Sequence, residues 1–197
     1  MSDPRARQWM AEGTELFLQT LAALSDDELV EASPLPGWTR RHVTAHVHAN
    51  ALAIGRLVHW AATGDETPMY PPGDARDAEI ERLTAESPAE LRRLVADSAG
   101  TLAAAMDDLP DAAWTATVRS RQGQDIPAAD IPWMRAREVY IHAVDLGGST
   151  TFADFPADVT TALVVDVAGR RAASGDGPGL AAWLTGRAAA PTLGAWL

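Results

Sequence analysis

The chain contains no cysteine and no lysine. Without cysteine, disulfide frameworks, thiolate metal sites and cysteine nucleophiles are excluded, and any thiol chemistry needs a thiol supplied from outside. Without lysine there is no Schiff-base chemistry, and only guanidinium groups remain to hold carboxylates or phosphates. Positive charge is scarce too. Sixteen basic residues against 27 acidic ones leave a net charge of -11, which disfavours nucleic acid and acidic lipid surfaces as partners. Long apolar runs are also missing: the stretches at 51–62 and 160–167 are short and interrupted by Arg56, His59 or Asp166, and MSDPRARQWM has no apolar signal core. These absences lead to the expectation of a cytoplasmic protein, monomer or homodimer, whose partners are small molecules.

What is present is an ordinary globular composition. The 197 residues, 47% of them hydrophobic and 22% charged, suffice for one domain with an appendage and a sizeable core. Trp9, Leu16, Phe17, Leu21 and Leu24 recur at helical spacing, predicting a helix over 3–24 that ends at a Ser25-Asp26-Asp27-Glu28 capping box, with a short turn after it. Ser33-Pro34-Leu35-Pro36-Gly37 breaks the pattern, and Thr39 then caps a helix to about Thr63, with Trp38 as its hydrophobic staple. A short helix over 74–83 precedes Ser87-Pro88-Ala89-Glu90, read as cap, first helical position and capping box of a long helix to Leu109. Its stripe is Leu91, Val95, Leu102, Met106 and Leu109. The segment 114–132 suggests a hairpin, and 133–146 a further helix stopped at Gly147-Gly148. Four long helices in the first 150 residues, taken as antiparallel neighbours, predict a mainly α four-helix bundle. Residues 151–197 read as a short, mostly helical appendage, with helices over 157–172 and 180–187 and tail or core anchors at Trp183 and Trp196.

Two helices carry the chemistry. On the second, Val43, Val47, Ile54 and Ala61 share the buried stripe and His46 falls beside it, whereas His42 lies further out, His48 projects almost oppositely and His59 is turns away. On the helix over 133–146, Glu138 and His142 are four residues apart and so can reach one ion. Asp145 follows on the same face, placed to orient a histidine or cap a loop. Met134 and Ile141 border that face, so an unpaired carboxylate there requires compensation. An ordinary helical ion pair between Glu138 and His142 is one explanation. Adding His46 gives the other, a two-histidine, one-carboxylate set suited to Zn²⁺, Fe²⁺ or Ni²⁺ with coordination positions left open. Arg135 and Arg137 flank the ligands, and Arg137 is expected at the surface.

Leu35-Pro36-Gly37-Trp38-Thr39 leading to His46, together with Arg137-Glu138-Val139-Tyr140-Ile141-His142-Ala143-Val144-Asp145-Leu146-Gly147, resembles the mycothiol-dependent maleylpyruvate isomerase group of the DinB-like metalloenzyme superfamily. The resemblance covers the first 150 residues or so. It implies a DinB-like four-helix bundle over 1–150 holding one divalent metal, most simply Zn²⁺, on His46, Glu138 and His142. It also implies mycothiol as the external thiol, whose sulfur would add to the cis double bond of maleylpyruvate, allow rotation, and be expelled to give fumarylpyruvate. In that family a C-terminal α/β domain adds an arginine to the cleft. Here 151–197 resembles only the start and end of such a domain, with the strand-forming middle missing, and Arg187 is the counterpart of that arginine. The alternatives are a mycothiol S-transferase using the same thiol on an electrophile, and a non-catalytic metal- or thiol-binding protein.

Overall fold

A computed structural model describes residues 4–71 and 73–194, which form two compact units, 1–152 and 153–197. The first unit is built on four long helices: α1 (Ala6–Ala22), α3 (Arg40–Thr63), α5 (Pro88–Asp107) and α6 (Ile131–Asp145). Two shorter helices, α2 (Asp26–Leu29) and α4 (Ala75–Thr84), and an antiparallel hairpin, β1 (Thr117–Arg119) with β2 (Asp125–Pro127), fill the connections.

The termini follow local chemistry. Ser25 and Glu28 make the reciprocal capping box, Ser25 N–H donating to Glu28 Oε2 at 2.7 Å and Glu28 N–H to Ser25 Oγ at 3.2 Å. At α3 an imidazole replaces the carboxylate, with Thr39 N–H donating to His42 Nδ1 at 3.1 Å. Trp38 packs against the core cluster containing Val43, as a staple does. The box expected at α5 is only half made. Ser87 Oγ accepts from Glu90 N–H at 3.1 Å, but the Glu90 carboxylate takes the fork of Arg93 instead, Nε donating at 2.8 Å. A charged guanidinium three residues on outcompetes a neutral backbone N–H for that carboxylate. Helix α6 starts at Ile131, two residues before the expected start, because Pro132 is accommodated in its first turn. It ends where Gly147 takes φ 65°.

Sequential long helices are not all neighbours, contrary to the expected arrangement. Helix α1 pairs most extensively with α6, and α3 with α5, while α3·α6 and α1·α5 contacts close the ring. The chain therefore crosses between non-adjacent positions after α1 and after α5, and both crossings use long connections. Arg40 locks the first crossing: Nε donates to Leu146 O at 2.7 Å, Nη1 to Glu28 O at 2.9 Å and Nη2 to Gly147 O at 3.2 Å. The predicted Phe17, Leu21, Val43, Val47 and Val95 cluster in the core together with Val139 and Ala143 of α6, where sequence reading names Met134 and Ile141, both half-buried. Leu91, Val95, Leu102 and Met106 of α5 are buried, as is Leu109, which lies just beyond the helix end at Asp107 rather than on it. Gly13 lets α1 and α6 approach closely, since a Cβ there would lie 2.7 Å from the Tyr140 ring and 2.8 Å from Val139 Cγ2.

In the second unit α7 (Ala157–Arg171) and α8 (Gly177–Leu184) are joined through Gly175 at φ 112°, and no strand occurs among its described residues. Trp183, expected as an anchor, is 43% exposed; Trp196 lies outside the described residues. Arg187 follows the C-terminal Gly186 turn of α8, is exposed, and its guanidinium donates to Thr185 O. No helix among the described residues is long and apolar enough to cross a membrane.

Candidate metal centre

Helix α3 turns His46 toward α6, and the four-residue spacing on α6 brings Glu138 and His142 to meet it. Ligand atoms of all three lie within 4.8 Å of one another. His46 Nε2 is 3.0 Å from Glu138 Oε2, and the two imidazoles stand edge to face at 4.7 Å between centroids. Both histidines are buried, His46 being 5% and His142 3% exposed. The Trp38 ring lies 5.6 Å from that of His46.

Hydrogen bonding determines the tautomers. Asp145 Oδ2 sits 2.9 Å from His142 Nδ1, which therefore carries the proton and leaves Nε2 facing the site. That Nε2 is 3.4 Å from Glu138 Oε2, an ion-pair contact out of hydrogen-bonding alignment, so a buried ring nitrogen has no hydrogen-bond partner. Arg76 Nη2 is 3.2 Å from His46 Nδ1. Arginine can only donate, so Nδ1 accepts and Nε2 donates to Glu138. His46 offers Nε2 to a cation only as the other tautomer, in which Nδ1 no longer accepts from Arg76.

The charges divide unevenly. Burial pushes His46 down to about 4, the Glu138 hydrogen bond only partly opposing it. Burial acts the same way on His142, but the Asp145 and Glu138 carboxylates outweigh it and hold the imidazole up at about 9. Burial would raise the Glu138 carboxyl, yet both histidines hold it well below its usual range. At neutral pH the Glu138 charge is thus balanced by a protonated His142, the compensation that the apolar surroundings demand.

This division has a measurable consequence for cation uptake. Three donors, one of them a buried nitrogen without a hydrogen bond, fit a divalent cation, which needs both imidazoles neutral. Uptake at pH 7 is expected to release about one proton per ion, from His142, measured by calorimetry in buffers of different ionisation enthalpy. Zero release would remove His142 from the ligand set. In the metal-free protein the raised His142 contributes stability that is complete below about pH 6.5 and lost as pH rises through about 9. The depressed His46 contributes stability present above about 6.5 and lost as pH falls through about 4.

Other sequence candidates separate cleanly. His42 points outward, Nε2 3.2 Å from Glu81 Oε2, and His59 is exposed. His48 is buried on the opposite side of α3, 3.0 Å from Leu94 O, and joins α3 to α5 rather than the metal centre. Arg137 is half-buried rather than on the surface. Sequence reading missed Arg76 and Tyr70, and placed Arg135 beside the ligands without giving it a role. Arg135 is 1% exposed, with Nη1 donating to Val47 O at 2.9 Å and Asn50 Oδ1 at 2.7 Å, while Nε and Nη2 have no partner. Burial pushes its pKa down to about 10, against the opposing charge of Glu138. Its position three residues before Glu138, and that of Asn50 four after His46, were the available signals. Arg76 and Tyr70 belong to the Pro- and Gly-rich connection and α4, where no periodicity marks them.

Residues 10–147 match the family described as the mycothiol maleylpyruvate isomerase N-terminal domain. The crystal structure of the mycothiol-dependent maleylpyruvate isomerase is 40% identical with a TM-score of 0.81, over 83% of this chain and 68% of that one. A histidine-to-alanine mutant of the mycothiol-dependent maleylpyruvate isomerase matches at 39% identity and the same TM-score of 0.81, over the same 83% and 68%. YfiT from Bacillus subtilis, described as a probable metal-dependent hydrolase with an unusual four-helix bundle topology, is 16% identical with a TM-score of 0.58, over 75% of this chain and 88% of that one, and shares the fold. None of the curated proteins matches the chain. With a DinB-like bundle, two histidines and a carboxylate converging in it, and a family match that spans most of its length, the chain belongs to the mycothiol maleylpyruvate isomerase N-terminal domain family.

Proposed function

We propose that this protein is a mycothiol-dependent metalloenzyme that isomerises maleylpyruvate, or a related unsaturated acid, about its cis double bond. The observation that supports this reading is the convergence of His46, Glu138 and His142, with His142 Nε2 buried and without a hydrogen bond. A divalent cation, Zn²⁺ by the donor set, would be held there and would keep a thiol sulfur deprotonated at neutral pH. The chain has no thiol of its own, so the sulfur comes from mycothiol. In the reaction sulfur adds to the conjugated double bond, the resulting single bond rotates, and sulfur is expelled as the double bond re-forms. The residues of this chain hold and orient: Asp145 keeps the His142 proton on Nδ1, Trp38 covers one side of His46, and the guanidinium groups nearby stabilise carboxylate and enolate charge.

The test is to incubate the zinc-loaded protein with mycothiol and maleylpyruvate and follow the ultraviolet change of the conjugated system. Conversion to the trans isomer that requires mycothiol is expected. A stable thiol adduct found by mass spectrometry without trans product would replace the isomerase with an S-transferase, and neither product would leave a protein that binds without turnover. A carboxylate-holding role for Arg187 is supported by the family resemblance. Arg187→Lys is then expected to lose most activity and keep its metal, because the bidentate fork is gone; wild-type turnover would remove Arg187 from the site.

A further inference from the structure

A cavity of about 350 Å³ lies one arginine away from the metal centre, a volume within the range of small-molecule pockets. Its link to the centre is Arg76, which lines the cavity while its Nη2 lies 3.2 Å from His46 Nδ1. Tyr70 from the connection before α4, Trp60 from the last turn of α3, and Ser120 and Arg121 from the loop of the hairpin complete the relevant wall. Most charges there are already answered. Arg76 Nη1 donates to Asp77 Oδ1 at 2.7 Å, and Arg119 lies 3.1 Å from Glu66 and 3.3 Å from Asp125. Arg121 differs: it makes no hydrogen bond or ion pair among the described residues.

The Tyr70 hydroxyl lies in the field of Arg76, Arg121 and Glu138. A second, independent observation lies deeper. Buried Arg135 interacts electrostatically with both Tyr70 and Glu138, and two of its guanidinium nitrogens have no partner. Three guanidinium groups thus act around one phenol, with Glu138 the carboxylate among the metal ligands. Of the three arginines that line the cavity, Arg121 is the one without a carboxylate partner among the described residues, which points to an anionic group as its ligand. Glu66, Asp74 and Asp77 line the same cavity, so the group that enters beside Arg121 is one end of a ligand, and the planar guanidinium fork matches a carboxylate.

We infer that this cavity is a carboxylate-binding subsite, in which Arg121 and the Tyr70 hydroxyl hold one end of an unsaturated diacid beside the metal centre. The inference rests on the proposed isomerase reading for the identity of the diacid. The exposed, unpaired Arg121 guanidinium is free to fork onto a carboxylate, and the phenol O–H adds a neutral donor. Arg121 belongs to the same compact unit as the three metal ligands, so this subsite does not require Arg187.

The probe is maleate, titrated calorimetrically into metal-loaded wild type, Arg121→Gln and Tyr70→Phe. Arg121→Gln is expected to weaken maleate about tenfold or more, as the loss of a charge-assisted fork does, with metal content unchanged. In turnover it should raise KM by a similar factor and leave kcat within about threefold, since a uniform binding contact is lost. Tyr70→Phe should weaken maleate by a smaller factor. Equal maleate affinity in wild type and Arg121→Gln, no maleate binding by wild type, or tighter binding of inorganic phosphate than of maleate would each overturn the subsite. The two readings fail separately. Arg121-dependent maleate binding without isomerisation keeps the subsite and removes the reaction, whereas isomerisation with a KM indifferent to Arg121→Gln does the reverse.

Discussion

Replacing His46 with alanine is expected to reduce bound divalent metal from about one per chain to a trace after dialysis. Only Glu138 and His142 would then remain, four residues apart on one helix and already engaged with each other's charge. Glu138→Gln should have as large an effect for a different reason. It removes the anion that both imidazoles face and leaves an amide beside buried Arg135, so the positive charge that a cation brings is no longer balanced. Elemental analysis of the purified variants checks both. His59→Ala is the control expected to keep its metal, because His59 is exposed and away from the centre. Stoichiometric metal in both His46→Ala and Glu138→Gln would move the centre elsewhere.

Gly13→Val is expected to cost about 3 kcal/mol of stability, the upper part of the range for overpacking. The added Cβ alone would sit 2.7 Å from two carbons of the Tyr140 ring and 2.8 Å from Val139 Cγ2. Tyr140 is 2% exposed and Val139 fully buried, so neither can swing into solvent. Gly100 is the counterexample. It is exposed in the middle of α5 with open space around its would-be Cβ, and Gly100→Ala should gain up to about 1 kcal/mol through helix propensity alone. Urea midpoints for the two variants should move in opposite directions. A gain in Gly13→Val would mean that α1 and α6 are not in close contact.

Much of the bundle was legible because it is amphipathic. The stripes of α3 and α5 run at helical spacing, and their caps, Thr39 and Ser87, are short-range patterns like that of Ser25 at α2, so periodicity and local chemistry locate them. The half-made box at Glu90 shows the limit: a capping pattern does not reveal that Arg93 competes for the same carboxylate. Which helix neighbours which was not legible either. Loop lengths of this size permit adjacent or diagonal crossings, and the choice rests on contacts such as those of Arg40 with Leu146 and Gly147, more than a hundred residues along the chain.

The candidate ligands divide in the same way. Glu138 and His142 share a face by the geometry of one helix, and Asp145 follows from the same turn, so their proximity is a property of local sequence. That His46 joins them could be argued from its flank position and from family resemblance, but the 3.0 Å approach to Glu138 belongs to the packing of α3 on α6. Arg76, Tyr70 and Arg121 carry no periodic signal, because Tyr70 and Arg121 come from irregular segments and Arg76 from the first turn of the short helix α4. The amino-acid order by itself determined the helices, their buried faces and the lack of any internal thiol, since these depend on residue type and on spacing within a turn or two. Tertiary structure alone decided the ring order of the helices, the protonation states of two buried histidines and the cluster of guanidinium groups beside them, since each depends on which distant segments exclude water from one another.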